Sequence, residues 1–166
     1  MVKNNTNISE EYIWEQLRSI MDPEIPKISV VDLGMIVSVK TDQNNVDIKM
    51  TPTFAACPAL NVIRLDIFNA IDALPATNEV NVEATYDVQW DSNLISDKGR
   101  QILKDFGLAP PEKHTGEVCF KMLQEVECPF CDSHNTTMKS TFGSTLCRAI
   151  HYCNDCKQSF EQFKPV

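Results

Sequence analysis

The chain reads as an α+β protein in two parts: a small helix/sheet sandwich followed by a zinc-ribbon β module. Three observations carry that reading. Apolar residues recur at helical spacing in two segments, at 13–21 and 60–74. Alternating β-branched stretches lie between and after them. The last forty or so residues carry two C-x-x-C pairs, Cys128-Pro129-Phe130-Cys131 and Cys153-Asn154-Asp155-Cys156. A C-x-x-C turn places two thiolates about one tetrahedral edge apart, and two such turns complete a four-sulfur site of the zinc-ribbon type. A single pair would equally suit redox chemistry. Two pairs with 21 residues between the inner cysteines favour a metal, with disulfides or redox exchange as the alternative.

The elements follow in order. Ser9 is placed to cap a first helix, and Glu10 and Glu11 suit the positive end of its dipole. Ile13, Leu17, Ile20 and Met21 form its apolar stripe, and Pro23 is expected to end it. Asp22-Pro23-Glu24-Ile25-Pro26 cannot continue a helix, because two prolines remove donors and fix φ, so it reads as a rigid loop. Val30 to Val39 reads as a strand, Asp42-Gln43-Asn44-Asn45 as a turn, and Val46, Ile48 and Met50 as the returning strand of a hairpin with one buried face. Thr51-Pro52-Thr53-Phe54-Ala55-Ala56-Cys57-Pro58 is then a loop feeding a helix, with Pro58 at its first position. Leu60, Ile63, Ile67, Ile71 and Leu74 form the stripe of that helix. Val80, Val82, Ala84, Tyr86 and Val88 alternate as a third strand. Ser96 caps a last helix through Phe106, and Gly107 suits its C-terminal stop.

These elements define a body over 8–107, a linker over 108–124 and the ribbon over 125–166. About a hundred residues can bury a core of their own. The ribbon cannot, since ~40 residues rarely hold together without a staple.

Charge and composition exclude several classes. The net charge is −8 over 166 residues, and residues 1–110 hold 9 basic and 16 acidic side chains. From Cys128 onward there are 4 basic and 3 acidic, with Lys139, Arg148, Lys157 and Lys164 scattered. Binding to nucleic acid needs a concentrated basic face, so none is expected. No apolar run approaches the roughly 20 residues that cross a bilayer. Met1 to Thr6 is polar with no apolar stretch behind it, unlike a secretory signal. Seven cysteines in that context point to the reducing cytoplasm, where thiols serve metals or chemistry.

Cys57 is the thiol of interest in the body. Just before a helix, its sulfur is expected near unpaired amides and a positive dipole end, which favours the thiolate. The alternative is a small, inert core residue. Asp22, Glu24 and Asp32 flank rigid positions and either cap turns and face solvent or stand beside Cys57 in a small polar pocket. Cys119 matches no spacing. Cys147 is a packed residue, a fifth thiol near the metal or a redox partner. His151 could replace a thiolate, although four cysteines suffice. No nucleophile elbow, phosphate loop, H-E-x-x-H or dinucleotide fingerprint occurs.

Asp22-Pro23-Glu24-Ile25-Pro26, Ser29-Val30-Val31-Asp32-Leu33-Gly34-Met35-Ile36, Thr51-Pro52-Thr53 and Cys57-Pro58-Ala59 together resemble the iron–sulfur-cluster-assembly domain of SufT-type and cytosolic cluster-targeting proteins. Phe106-Gly107-Leu108-Ala109-Pro110-Pro111, Phe142-Gly143-Ser144-Thr145 with Cys147, the paired C-x-x-C turns and Phe160-Glu161-Gln162-Phe163-Lys164 extend the likeness. From about Tyr12 to Lys164 the chain resembles the PaaD (or PaaJ) family, accessory proteins of the phenylacetyl-CoA epoxidase of bacterial phenylacetate degradation. Ala56 departs from the glycine usual in that family.

The resemblance implies help in assembling an iron–sulfur or metal centre, with diiron oxygenase subunits and an iron–sulfur flavin reductase as partners. It implies a transient iron or iron–sulfur cluster at Cys57, for which Asp22, Glu24, Asp32 and Thr51 are the candidate neighbours. Cys128, Cys131, Cys153 and Cys156 would hold zinc, with iron as the alternative. A non-catalytic structural or regulatory subunit, and a thiol redox enzyme, are the competing expectations.

Overall fold

The computed structural model describes residues 7–166, so the polar Met1–Thr6 segment lies outside it. The chain divides into two compact units. The first comprises residues up to Pro52 and Pro58–Gln89; the second comprises Thr53–Cys57 and Trp90–Val166.

The first unit begins with α1 (Glu10–Leu17), whose N-cap Ser9 accepts the Tyr12 amide through its side chain. The helix stops four residues short of the expected Met21. Arg18 is its C-cap, the Ser19 hydroxyl donates to the Gln16 carbonyl at 2.7 Å, and Met21 instead bridges Ser29. The expected strand from Val30 also begins later, as β1 (Ile36–Asp42). Residues 29–34 turn instead, because the Ser29 hydroxyl accepts the Asp32 amide and the Ser29 carbonyl accepts that of Leu33. Side-chain bonding of this local kind outcompetes the β preference of two valines.

The strand β1 pairs antiparallel with β2 (Asn45–Met50) across Gln43 and Asn44, whose φ values of 48° and 67° make the two-residue turn that matches strand twist. The helix α2 (Leu60–Asp72) buries Ile63, Ile67 and Ile71 completely. It starts two residues after Pro58, with Ala59 as its N-cap. It leads to β3 (Val80–Ala84), parallel to β2. This strand is shorter than expected: Tyr86 and Val88 lie beyond it and are exposed. Ile13, Leu17, Ile48, Ile63, Ile67 and Ile71, all at 0% exposure, form the heart of the unit.

The second unit runs on from Trp90, ahead of the ribbon. It takes in a short 3-10 turn at Ser92–Leu94 and α3 (Asp97–Asp105), capped by the Ser96 side chain on the Gly99 amide. Gly107, at φ 85°, closes that helix as expected. The segment read as a linker is structured. It contains β4 (Leu108–Ala109) and α4 (Lys121–Gln124). Arg100 donates to the Pro111 carbonyl, and the His114 amide and carbonyl both bond the Asn93 side chain. β5 (Thr136–Ser140), β6 (Arg148–Cys153) and β7 (Ser159–Phe163) complete a four-stranded sheet in the order β4-β7-β6-β5. The β4–β7 pairing is parallel. Among the described residues no helix is long and apolar enough to cross a membrane.

Candidate metal centre and thiol site

The two cysteine turns of the second unit are built alike. In the first, the Cys128 amide donates to the Ser133 carbonyl at 2.9 Å and the Asp132 amide to the Cys128 carbonyl at 3.0 Å. In the second, the Cys153 amide donates to the Gln158 carbonyl at 2.9 Å and the Lys157 amide to that of Cys153 at 3.1 Å. Asp132 and Lys157, each just after the second cysteine of its turn, occupy the left-handed region at φ 58° and 63°. That conformation folds the backbone around the sulfurs and aims amides at them.

The four Sγ atoms lie within 4.8 Å of one another, with Cys128 and Cys156 3.7 Å apart and Cys131 and Cys153 3.6 Å apart. A disulfide needs about 2.05 Å. Four sulfurs at about 2.3 Å from a central zinc stand about 3.8 Å from one another. The sulfurs therefore fit a tetrahedral ion, which would supply the module's cross-link and no open coordination position.

The thiols are electrostatically unequal. Burial opposes ionisation of Cys153, but the amides of Cys156 and Asp155 and the thiols of Cys156 and Cys131 outweigh it and hold Cys153 at about 6. The Ser133 amide favours the Cys131 thiolate, yet burial and the three other sulfurs push it up to about 12. Burial also raises Cys128. Crowded thiolates repel, and a divalent cation removes that penalty.

Side chains beyond the sulfurs tie the two turns together. The Asp155 carboxylate accepts from the Ser133 hydroxyl and from Asn135 Nδ2, the latter at 2.8 Å. Asn154 Nδ2 donates to Asn135 Oδ1 and Thr137 Oγ1, both at 3.0 Å. Lys104 of α3 pairs with Glu127 and Asp132, each at 2.7 Å, on either side of the first turn. Such outer partners hold ligand turns in place. The sequence reading missed them, although Asn and Asp inside and just after the C-x-x-C pairs were the available signal. His151 is not a ligand. It is wholly buried on β6, stacked on Phe160 at 5.4 Å, and burial lowers its pKa.

The 142–148 loop is organised around Glu161 of β7. The Ser144 amide and hydroxyl donate to its carboxylate at 2.6 and 3.0 Å, and Arg148 Nη1 at 3.0 Å. A Cβ on Gly143 would stand 2.6 Å from the Glu161 carboxylate and 2.9 Å from Arg148 Cβ, so only glycine fits. Burial works against ionisation of Glu161, but the Ser144 amide, Arg148 and the Ser144 hydroxyl hold its carboxyl below the usual range.

The residues singled out in the body separate into two places. Asp22, Glu24, Asp32 and Thr51 belong to the first unit. Asp22 Oδ1 accepts the amides of Glu24 and Ile25, both at 2.9 Å, and Asp32 Oδ2 accepts the Ser29 hydroxyl at 2.9 Å. Both carboxylates are buried; Asp22 caps its turn directly, while Asp32 holds the Ser29 hydroxyl that caps the following one. Glu24 is half-buried, and the Thr51 hydroxyl donates to the Val88 carbonyl at 2.8 Å. Cys57 is half-buried and falls with the second unit, in the segment Thr53–Cys57, its amide donating to the Phe54 carbonyl at 3.0 Å. It precedes Ala59, the N-cap of a helix with no side-chain cap. Cys119 is exposed.

Comparison with known proteins matches both parts. Residues 10–84 match the model of the iron-sulfur cluster assembly protein family, and residues 113–164 match that of the PaaD zinc beta ribbon domain. The chain is 36% identical over 158 residues to a 1,2-phenylacetyl-CoA epoxidase subunit of Escherichia coli, covering 93% of this chain and 92% of that one. It is 32% identical over 91 residues to an Fe-S protein maturation auxiliary factor of Porphyromonas gingivalis, covering 54% of this chain and 86% of that one. The crystal structure of a domain of unknown function from Bacillus anthracis superposes with a TM-score of 0.53 at 28% identity, over 57% of this chain and 90% of that one.

Proposed function

The chain belongs to the PaaD family, that of the Escherichia coli 1,2-phenylacetyl-CoA epoxidase subunit it matches along nearly its whole length, and from that premise we propose that it is an accessory protein of a phenylacetyl-CoA epoxidase. Its role is to assist assembly of an iron–sulfur or other metal centre in one of that system's components. The observation that carries this reading is the joining, in one chain, of a cluster-assembly domain and a four-cysteine ribbon. The clients are the diiron oxygenase subunits or the iron–sulfur flavin reductase, met in the cytoplasm.

In this reading Cys128, Cys131, Cys153 and Cys156 hold zinc permanently, and Cys57 holds iron or a cluster transiently. The ribbon docks the client. Within the first unit the two buried aspartates, Asp22 and Asp32, fix their loop.

The test uses a strain that grows on phenylacetate and depends on this protein. Cys57→Ala should leave folding stability nearly unchanged, since a half-buried sulfur contributes little packing. It should nonetheless leave the epoxidase components under-loaded with metal and growth on phenylacetate impaired. Normal growth with fully loaded components would remove the cluster-handling role. A second reading, a structural or regulatory subunit, is favoured by the description of the Escherichia coli relative as one of the epoxidase subunits. It requires co-purification with the oxygenase in fixed ratio and tolerance of Cys57→Ser.

A further inference from the structure

Cys147 is a thiol that neither the ribbon nor the proposed role employs. The four ligand sulfurs form a complete set without it. It lies half-buried in the 142–148 loop, its Sγ 2.9 Å from the Thr145 hydroxyl. Glu161 and Gly143 hold that loop in place.

Lys164 connects this loop to the Cys57 turn. Its amide donates to the Cys147 carbonyl at 2.9 Å. Its ammonium donates to the Thr141 carbonyl at 3.2 Å and lies between two rings, 5.5 Å from the centre of Phe142 and 5.6 Å from that of Phe54. A cation held against two aromatic faces fixes both segments in place. Phe54 in turn receives the Cys57 amide on its carbonyl. One lysine therefore holds the Cys147 backbone at one end and the Cys57 turn at the other, within a single compact unit.

We propose that Cys57 and Cys147 together form a dithiol site, separate from the ribbon, that binds a thiophilic divalent metal such as ferrous iron, with Lys164 as the residue that positions the two segments. The proposal rests on Cys57 being the functional thiol and adds its second ligand. Sulfur ligands select thiophilic metals, and two thiolates on one scaffold retain such an ion far better than one because the second binds intramolecularly.

The experiment uses the full-length, zinc-loaded protein under anaerobic conditions with phenylarsine oxide. This arsenical condenses with two neighbouring thiols to give a cyclic dithioarsenite and one water, with no change in oxidation state. Mass spectrometry should show one adduct per chain, lost in Cys57→Ser and in Cys147→Ser and retained in Cys119→Ser, with bound zinc unchanged throughout. Cobalt(II), added as a spectroscopic stand-in for ferrous iron, should give a thiolate charge-transfer band beyond any ribbon signal, abolished by the same two variants. An adduct that survives Cys147→Ser, or forms only with loss of zinc, overturns the dithiol. Lys164→Met should slow capture without changing its stoichiometry, and an unchanged rate would remove the lysine from the site. These outcomes are independent of the maturation role. Arsenical capture can hold while Cys57→Ala leaves the client loaded, which would sink the proposed function alone.

Discussion

The two units reach stability by different physical routes. The first is a conventional core: α1, α2 and a three-stranded sheet bury Ile13, Leu17, Ile48, Ile63, Ile67 and Ile71 beyond reach of water. The C-terminal half of the second has little of this around its cysteine turns. Its apolar cluster is Ala109, Val126, Cys128, Cys153 and Phe160, so two of its five members are themselves candidate metal ligands. The contrast shows what a metal replaces. Where too few apolar side chains exist to offset chain entropy, four thiolates converging on one ion supply the cross-link.

The largest expected effect tests that contrast directly. Stripping the metal with a strong chelator should remove roughly 10–16 kcal/mol of metal-linked folding energy from the ribbon, and Cys131→Ala a large part of it. NMR signals of β5, β6 and β7 should collapse while those of α2 and β3 persist. Simultaneous loss of both sets would show that the units are one cooperative body. Elemental analysis finding neither zinc nor iron in chelator-free protein would remove the premise altogether.

The converse substitution should spare the ribbon. Ile67→Ala opens a cavity at a wholly buried position and should destabilise the first unit by about 2–5 kcal/mol, read from denaturant titration of its helical signal. Metal content should stay at its original value. A fall in bound metal would link the two units energetically.

A smaller effect sharpens the picture of the ribbon itself. Glu161→Gln should cost about 1–2 kcal/mol at neutral pH by weakening charge-assisted bonds to Ser144 and Arg148. Because the folded carboxyl titrates below its ordinary value, this contribution is complete above the unfolded pKa of about 4.3. It fades as pH falls through the depressed folded value. The stability gap between wild type and variant should therefore narrow with acidification. A gap that is constant with pH would assign Glu161 a packing role only.

Legibility in the sequence followed the range of the interactions. The stripe Ile63, Ile67, Ile71 and the Ser9 and Ser96 caps were readable because each depends on neighbours within a few residues. Residues 30–35 were misread as strand because valine content outweighed the side-chain bonding of Ser29, whose effect depends on geometry. The helix after Ser9 was read four residues too long for a similar reason: the Met21–Ser29 bridge spans a loop. In the candidate sites, the four ribbon cysteines were legible from spacing, and the resemblance brought out Phe142-Gly143-Ser144-Thr145 without a cause. The structure supplies one, a loop wrapped on the Glu161 carboxylate with no room for a Cβ at Gly143.

By itself the sequence determined the α+β class, the two helical stripes, the hairpin and the four-cysteine cluster of Cys128, Cys131, Cys153 and Cys156, since periodicity and C-x-x-C spacing are local properties of the chain. Only the tertiary structure decided that Trp90 to Ala109 joins the ribbon unit and that Leu108 and Ala109 pair in parallel with Glu161 and Gln162. It alone placed Lys164 between Phe54 and Phe142. The physical reason is separation along the chain. A strand pair formed across some fifty residues, or a cation held between rings more than eighty residues apart in sequence, leaves no periodic mark on either partner and exists only once the chain has closed on itself.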